Sequence, residues 1–236
     1  MKKHKQKAAF WIIGLMSTCI IGVLLWILIF IIVKGIGVIS WDFLTSMPKE
    51  GMTEGGIFPA IIGTLCLCVG SMIFAFPVGV ISGIYLNEYA GNGKIVGFIR
   101  MMTNNLSAIP SIVFGLFGMS LFVNTLGFGD SIIAGSLTLG ILVLPVVIRT
   151  TEEALKQIDD SYRLGSLALG ASKLQTILKV VLPMAMPNII TGLILSVGRV
   201  SGETAPILFT AAAYFLPKLP ISIFDQVMAL PYHLYV

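Results

Sequence analysis

Five stretches of this chain are apolar for as long as a bilayer is thick. A helix needs about 20 predominantly apolar residues to cross the hydrocarbon core. The stretches run from about Phe10 to Val33, Ile57 to Tyr85, Ile99 to Val123, Ser131 to Ile148 and Asn188 to Ala213. The rest of the composition agrees. Only 11% of residues are charged and 56% are hydrophobic, against roughly 25% charged in a soluble domain. A water-soluble fold and a disordered chain are both excluded, since disorder requires low hydrophobicity and many charges. The expectation is an all-α membrane protein: one polytopic helical bundle of 236 residues.

Sidedness follows the distribution of Lys and Arg. With the N-terminus inside, eleven basic residues face the cytoplasm: Lys2, Lys3, Lys5, Lys7, Lys94, Arg100, Arg149, Lys156, Arg163, Lys173 and Lys179. Three, Lys34, Lys49 and Lys218, face out, and Arg199 lies within the membrane. The first apolar run is too long for the h-region of a signal peptide and no small-residue cleavage site follows it, so it reads as a retained anchor. Five spans leave the C-terminus outside, and the odd number points to a further helix beyond the supplied sequence. The basic residues form no face that could track nucleic acid. Cys19, Cys66 and Cys68 lie inside apolar runs with no ligand spacing to His4 or His233, which suggests neither a disulfide framework nor a metal site.

The segment between the fourth and fifth spans, Arg149 to Met186, has the signals of a helical hairpin. Arg149 to Leu155 extends the fourth helix. Asp159, Asp160 and Ser161 can cap a new one. Tyr162, Leu164, Leu167, Ala168 and Leu169 recur at roughly helical spacing, Gly170 can stop the helix in a left-handed conformation, and Ser172 can cap a second helix that ends near Leu182 before Pro183. Its apolar face could cover the chain's own bundle as a lid, or dock into a groove on a partner.

Arg199 and Glu203 are the unusual residues of the fifth span. A charge at a helix centre costs roughly 2.5–3.5 kcal/mol on insertion scales, which marks such residues as candidates for a polar pathway. At i,i+4 they share a face and can pair, so a self-neutralising structural pair is the alternative. Arginine suits an oxyanion through its permanent charge and planar donor fork. Gly192, Gly198 and Gly202 would let other backbones approach. Pro206 has no N–H to give the Gly202 carbonyl, which opens the helix beside Glu203. In the outer loop, Lys34 to Gly56, Trp41 reads as an interfacial anchor. No phosphate-binding loop is present: Gly91-Asn-Gly-Lys94 is followed by Ile95. Nor is there a nucleophile elbow or a zincin motif. A transporter built on this chain takes its energy from an ion gradient or from another subunit.

The hairpin resembles the coupling motif of ABC-transporter permeases, which reads E-A-A, three residues, G, nine residues, I-x-L-P. Leu164-Gly165-Ser166 stands in the E-A-A place and departs from it, Gly170 matches the glycine, Val180 takes the isoleucine place, and Leu182-Pro183 matches the ending. Four longer stretches are similar to PstA-type phosphate permeases: Gly55 to Thr64, Ile109 to Gly118, Arg149 to Leu155 and Ser201 to Pro206. The resemblance covers about Gly55 to Thr210. It implies a type-1 ABC permease with six helices, in which residues 1–56 form an anchor helix and outer loop and residues 57–236 the permease core, with the hairpin at about 150–186. It implies pairing with a PstC-type permease, two PstB-type ATPases that use ATP and Mg, and an external PstS-type phosphate-binding protein. The chain itself would bind no cofactor and hydrolyse nothing. Arg199, Glu203 and Thr204 would line the substrate path, Gly198, Gly202 and Pro206 would open and pack the helix, and Leu164, Gly165, Ser166, Gly170, Leu182 and Pro183 would meet the ATPase. The location implied is a bacterial or archaeal cell membrane. Another oxyanion such as molybdate or sulfate, an ion-gradient carrier, and a non-transporting scaffold are the competing readings.

Overall fold

A computed structural model describes residues 2–91 and 93–235. Among the described residues, four helices are long and apolar enough to cross a membrane, or five if a sharply bent pair is counted as one span. Helix α1, Lys2–Gly35, stands apart: no described residue of it is buried. After it come the short helix α2, Trp41–Thr45, and a two-stranded ribbon, β1 at Pro48–Lys49 antiparallel to β2 at Glu54–Gly55.

The core begins with α3, Phe58–Tyr89, which opens with Pro59 in its first turn, where a missing N–H costs nothing. Its last turn, Tyr85–Tyr89, is wide: the Ala90 amide reaches the Tyr85 carbonyl five residues back. Gly63, Leu67, Ser71, Ala75, Gly79 and Gly83 recur every fourth residue and form a buried, mostly small-residue ridge. Against it lies α6, Ile132–Lys156. Gly70 faces Ser136, Gly79 faces Val147 and Gly83 faces Thr151, so the two helices run parallel in close contact. Leu139, Leu142 and Val143 of α6 join Leu67, Phe114, Val200 and Ile207 in the central cluster.

The third expected span is not one helix. Helices α4, Lys94–Leu106, and α5, Ser111–Thr125, meet at 99°. Pro110 biases Ile109 away from helical geometry and restarts the chain at Ser111. Only α5 runs alongside the bundle, with Gly115 against Ala205 and Pro206 and Gly118 against Thr138.

Two further boundaries differ from expectation. After α7, Asp160–Ala168, helix α8 is continuous from Lys173 to Gly202. The expected stop at Leu182-Pro183 is absent because a wide turn at Ile177–Val181, with the Leu182 amide on the Ile177 carbonyl, leads into Pro183 without a break. The fifth span does not reach Ala213 as a helix either. It ends at Gly202, Glu203 is extended, and a one-turn helix α9, Ala205–Leu208, follows. The loop after it returns across the start of α6 through Ser131 N–H to Thr210 O (2.9 Å) and Ile132 N–H to Asp225 O (2.9 Å), and leads to α10, Leu230–Tyr235.

Candidate functional site: a broken helix and a clamped hairpin

Arg199 and Glu203 lie where α8 breaks. The Arg199 Nε to Glu203 Oε1 distance is 3.4 Å, and the side chains are 37% and 16% exposed. Glu203 turns inward, beside a small void shared with Thr64, Leu139, Ser201 and Ile207. The pair therefore sits level with the middle of the apolar stretch of α6, with Arg199 on the open side. Non-helical backbone at such depth is tolerated only inside protein or beside a water-filled cavity. Arg199 also sits in the last turn of α8, where the negative end of the helix dipole favours a cation.

The break arises differently from the expected weakening. Pro206 does not leave the Gly202 carbonyl exposed inside a helix, since the helix has already ended there. Pro206 instead occupies the first turn of α9, and Thr204 is the residue before that helix. Gly198 and Gly202 have open space beside them: a β-carbon at either would have no atom of the described residues within 4 Å. Gly192 does pack, against Thr150. The face of α8 carrying Gly198, Arg199 and Gly202 is thus open rather than packed within this chain.

At the other end of the bundle, α7 and the start of α8 form the expected hairpin. Asp159 caps α7 by accepting from Ser161 N–H (2.8 Å), and the Ser161 hydroxyl together with that amide holds its carboxyl below its ordinary value. Ser172 caps α8 in a reciprocal box with Gln175. Gly170 has φ +85°, the left-handed geometry that glycine adopts without strain. Ser166 and Thr176 join the two arms through their hydroxyls at 2.9 Å. Leu164, Leu167 and Leu169 are exposed, Leu169 by 90%. The apolar face therefore does not close over the bundle, and the lid alternative falls.

Two charge clusters at this end carried no motif. Glu152 of α6 is buried between Arg100 of α4 (2.9 Å) and Lys156 (2.7 Å). Arg163 of α7 meets Glu88 of α3 at 2.8 Å. The only sequence signals were an acid at the end of each apolar run and basic residues counted toward sidedness. Arg100, Arg149, Lys156, Arg163 and Lys173 are all paired at the hairpin end, while Lys49 and Lys218 lie in segments at the opposite end.

A parallel α3–α6 core, a bent span, a helix break inside the bundle and a projecting hairpin define a polytopic membrane protein of the helical-bundle class. Residues 75–228 match the profile of the binding-protein-dependent transport system inner membrane component, and the chain belongs to that family. It is 39% identical to the probable ABC transporter permease protein YqgI of Bacillus subtilis (strain 168), over 89% of this chain and 71% of that protein. It is 40% identical to the phosphate transport system permease protein PstA of Mycobacterium leprae (strain TN), over 87% of this chain and 68% of that one. A PstA of Haemophilus influenzae is 36% identical over 85% and 68%. Among solved structures, inward-facing MetNI methionine ABC transporter shares the fold at TM-score 0.51 and 21% identity, over 65% of this chain and 69% of that one.

Proposed function

We propose that the chain is the PstA-type permease subunit of an ATP-driven importer of inorganic phosphate. It pairs with a PstC-type permease, couples to two PstB-type ATPases that use ATP and Mg, and receives phosphate from an external PstS-type binding protein. The chain binds no cofactor of its own. The observation that carries the reading is the Arg199–Glu203 pair at a helix break inside the bundle, in a chain 40% identical to a phosphate permease.

Phosphate carries between one and two negative charges near neutral pH, and a low-dielectric region amplifies the need for a fixed cation. Arg199 supplies it on the open face of α8, which the second permease subunit completes. Glu203 competes for the guanidinium, so the anion is held weakly enough to leave, as a conduction site requires. Thr204, in the break, offers a hydroxyl. The exposed leucines of the hairpin seat in an ATPase groove. Because α8 is one helix from Lys173 to Gly202, about 45 Å at 1.5 Å per residue, a push at the hairpin reaches the pair without a joint at Pro183. The N-terminus and the hairpin face the cytoplasm, by the basic bias. The test is ATP-dependent uptake of phosphate by proteoliposomes holding all subunits. Uptake of molybdate or sulfate in preference to phosphate would overturn the substrate assignment.

A further inference from the structure

We infer that Arg163 is a positioning residue that makes the hairpin drive α3 and α6 together with α8. All five of its N–H donors are occupied. Nε and Nη2 meet Glu88 Oε1 at 3.2 and 2.8 Å. Nη2 also reaches the Leu155 carbonyl at 2.9 Å, and Nη1 the Ile158 carbonyl at 2.7 Å and Asp160 Oδ1 at 3.0 Å. Leu155 lies in the last turn of α6, and Ile158 is two residues past its end. Glu88 lies in the wide terminal turn of α3. One guanidinium therefore joins α7 to the ends of both core helices.

The joint is shielded from water. The Arg163 and Glu88 side chains are 17% and 7% exposed, so salt screens the pair little. The second arm attaches to the same turn. The Lys173 ammonium bonds the Glu88 carbonyl oxygen and lies 4.6 Å over the Tyr89 ring. Asn87 donates to Glu88 Oε1 at 2.8 Å and fixes the carboxylate from the α3 side. By contrast, a β-carbon at Gly170 would have no atom of the described residues within 4 Å. A hairpin held at both arms cannot swing freely about that turn. Motion imposed on it is carried into the α3–α6 pair, which is in close contact from Gly70–Ser136 to Gly83–Thr151, as well as along α8.

This inference rests on the proposed coupling to an ATPase, and the experiment separates the two. In proteoliposomes with every subunit, the unaltered complex must import phosphate on ATP; if it does not, the coupling reading itself is lost. Given that import, Glu88→Ala removes the α3 carboxylate from the Arg163 joint, while Arg163 keeps its bonds to α6 and Asp160 and Lys173 keeps its bond to the Glu88 main chain. ATP hydrolysed per phosphate imported should then rise about tenfold, within the usual span of coupling between sites, with assembly and basal hydrolysis retained. Arg163→Lys, which cannot reach all three elements, should raise the same ratio. An unchanged ratio in Glu88→Ala overturns the inference. If Glu88→Ala fails to assemble, Glu88→Ser, whose hydroxyl is too short to reach Arg163, decides: a raised ratio supports the clamp and an unchanged one overturns it.

Discussion

The close approach of α3 and α6 gives a signed prediction at Gly79 and Gly83. A β-carbon at Gly79 would lie 2.6 Å from Val147 Cγ1, and one at Gly83 would lie 2.7 Å from Thr151 Cβ and 2.9 Å from the Ile148 carbonyl oxygen. Carbon atoms rest about 3.5–4.0 Å apart, so either alanine pushes the helices roughly 1 Å apart. Overpacking of this kind costs about 1–3 kcal/mol, while alanine gains about 1 kcal/mol over glycine in helix propensity. At Gly83 backbone blocks relaxation, so the net cost is about 2 kcal/mol, taking the upper end of that range. At Gly79 only a side chain intervenes and the net is about 1 kcal/mol. One displacement relieves both clashes, so the double variant should cost less than the sum. The assay is SDS-titrated unfolding in mixed micelles, with Gly97→Ala as control, since Gly97 on α4 has no neighbour within 4 Å. Gly83→Ala as harmless as Gly97→Ala would refute the packing argument.

Three further outcomes are expected. Gly170→Ala forces a side chain into left-handed geometry at φ +85° and should destabilise the hairpin by about 1–2 kcal/mol, read as faster amide exchange across Leu167–Ala171 with the membrane helices unchanged. A cysteine at Gln157 should react with an impermeant reagent only after the cytoplasmic side is opened, and one at Thr53 in intact cells; the opposite pattern would invert the topology. Asp225 accepts from the Ser222 and Ile221 amides, which holds its carboxyl below its ordinary value of 3.8. A depressed folded value means stabilisation that is complete above the ordinary value and lost as pH falls through the folded one. Asp225→Ala should speed amide exchange at Ile221 and Ser222 at pH 7 and make no difference well below that range.

The apolar runs, both hairpin caps and the turn at Gly170 were legible because each is a local signal: length, an oxygen before a helix, a residue free to take positive φ. The break at Glu203 was half legible. Pro206 announced it, but proline only shows that a helix must yield nearby, and the chain yielded at Gly202, three residues before α9 begins. The run through Pro183 was illegible, since a proline at the start of a continuing helix reads the same as one after a stop. The 99° bend at Pro110 was hidden because α4 is amphipathic yet apolar enough to merge with α5 in a hydropathy window. Glu88 and Arg163 lie 75 residues apart in sequence, and no spacing rule joins a carboxylate to a guanidinium brought together only by the packing of α3 against α6. The open face at Gly198 and Gly202 was only half legible, because small residues mark close approach without naming the partner.

The account's central claim is that Arg199 is the fixed cation of the phosphate path. The most direct measurement is uptake of radiolabelled phosphate by proteoliposomes of the complete transporter, with the amount of each subunit checked. Arg199→Ala should abolish uptake while the complex assembles, and Arg199→Lys should be partly active, because it keeps the charge and loses the planar fork. Full uptake by Arg199→Ala would contradict the account and leave Arg199 and Glu203 as a structural pair at a helix end.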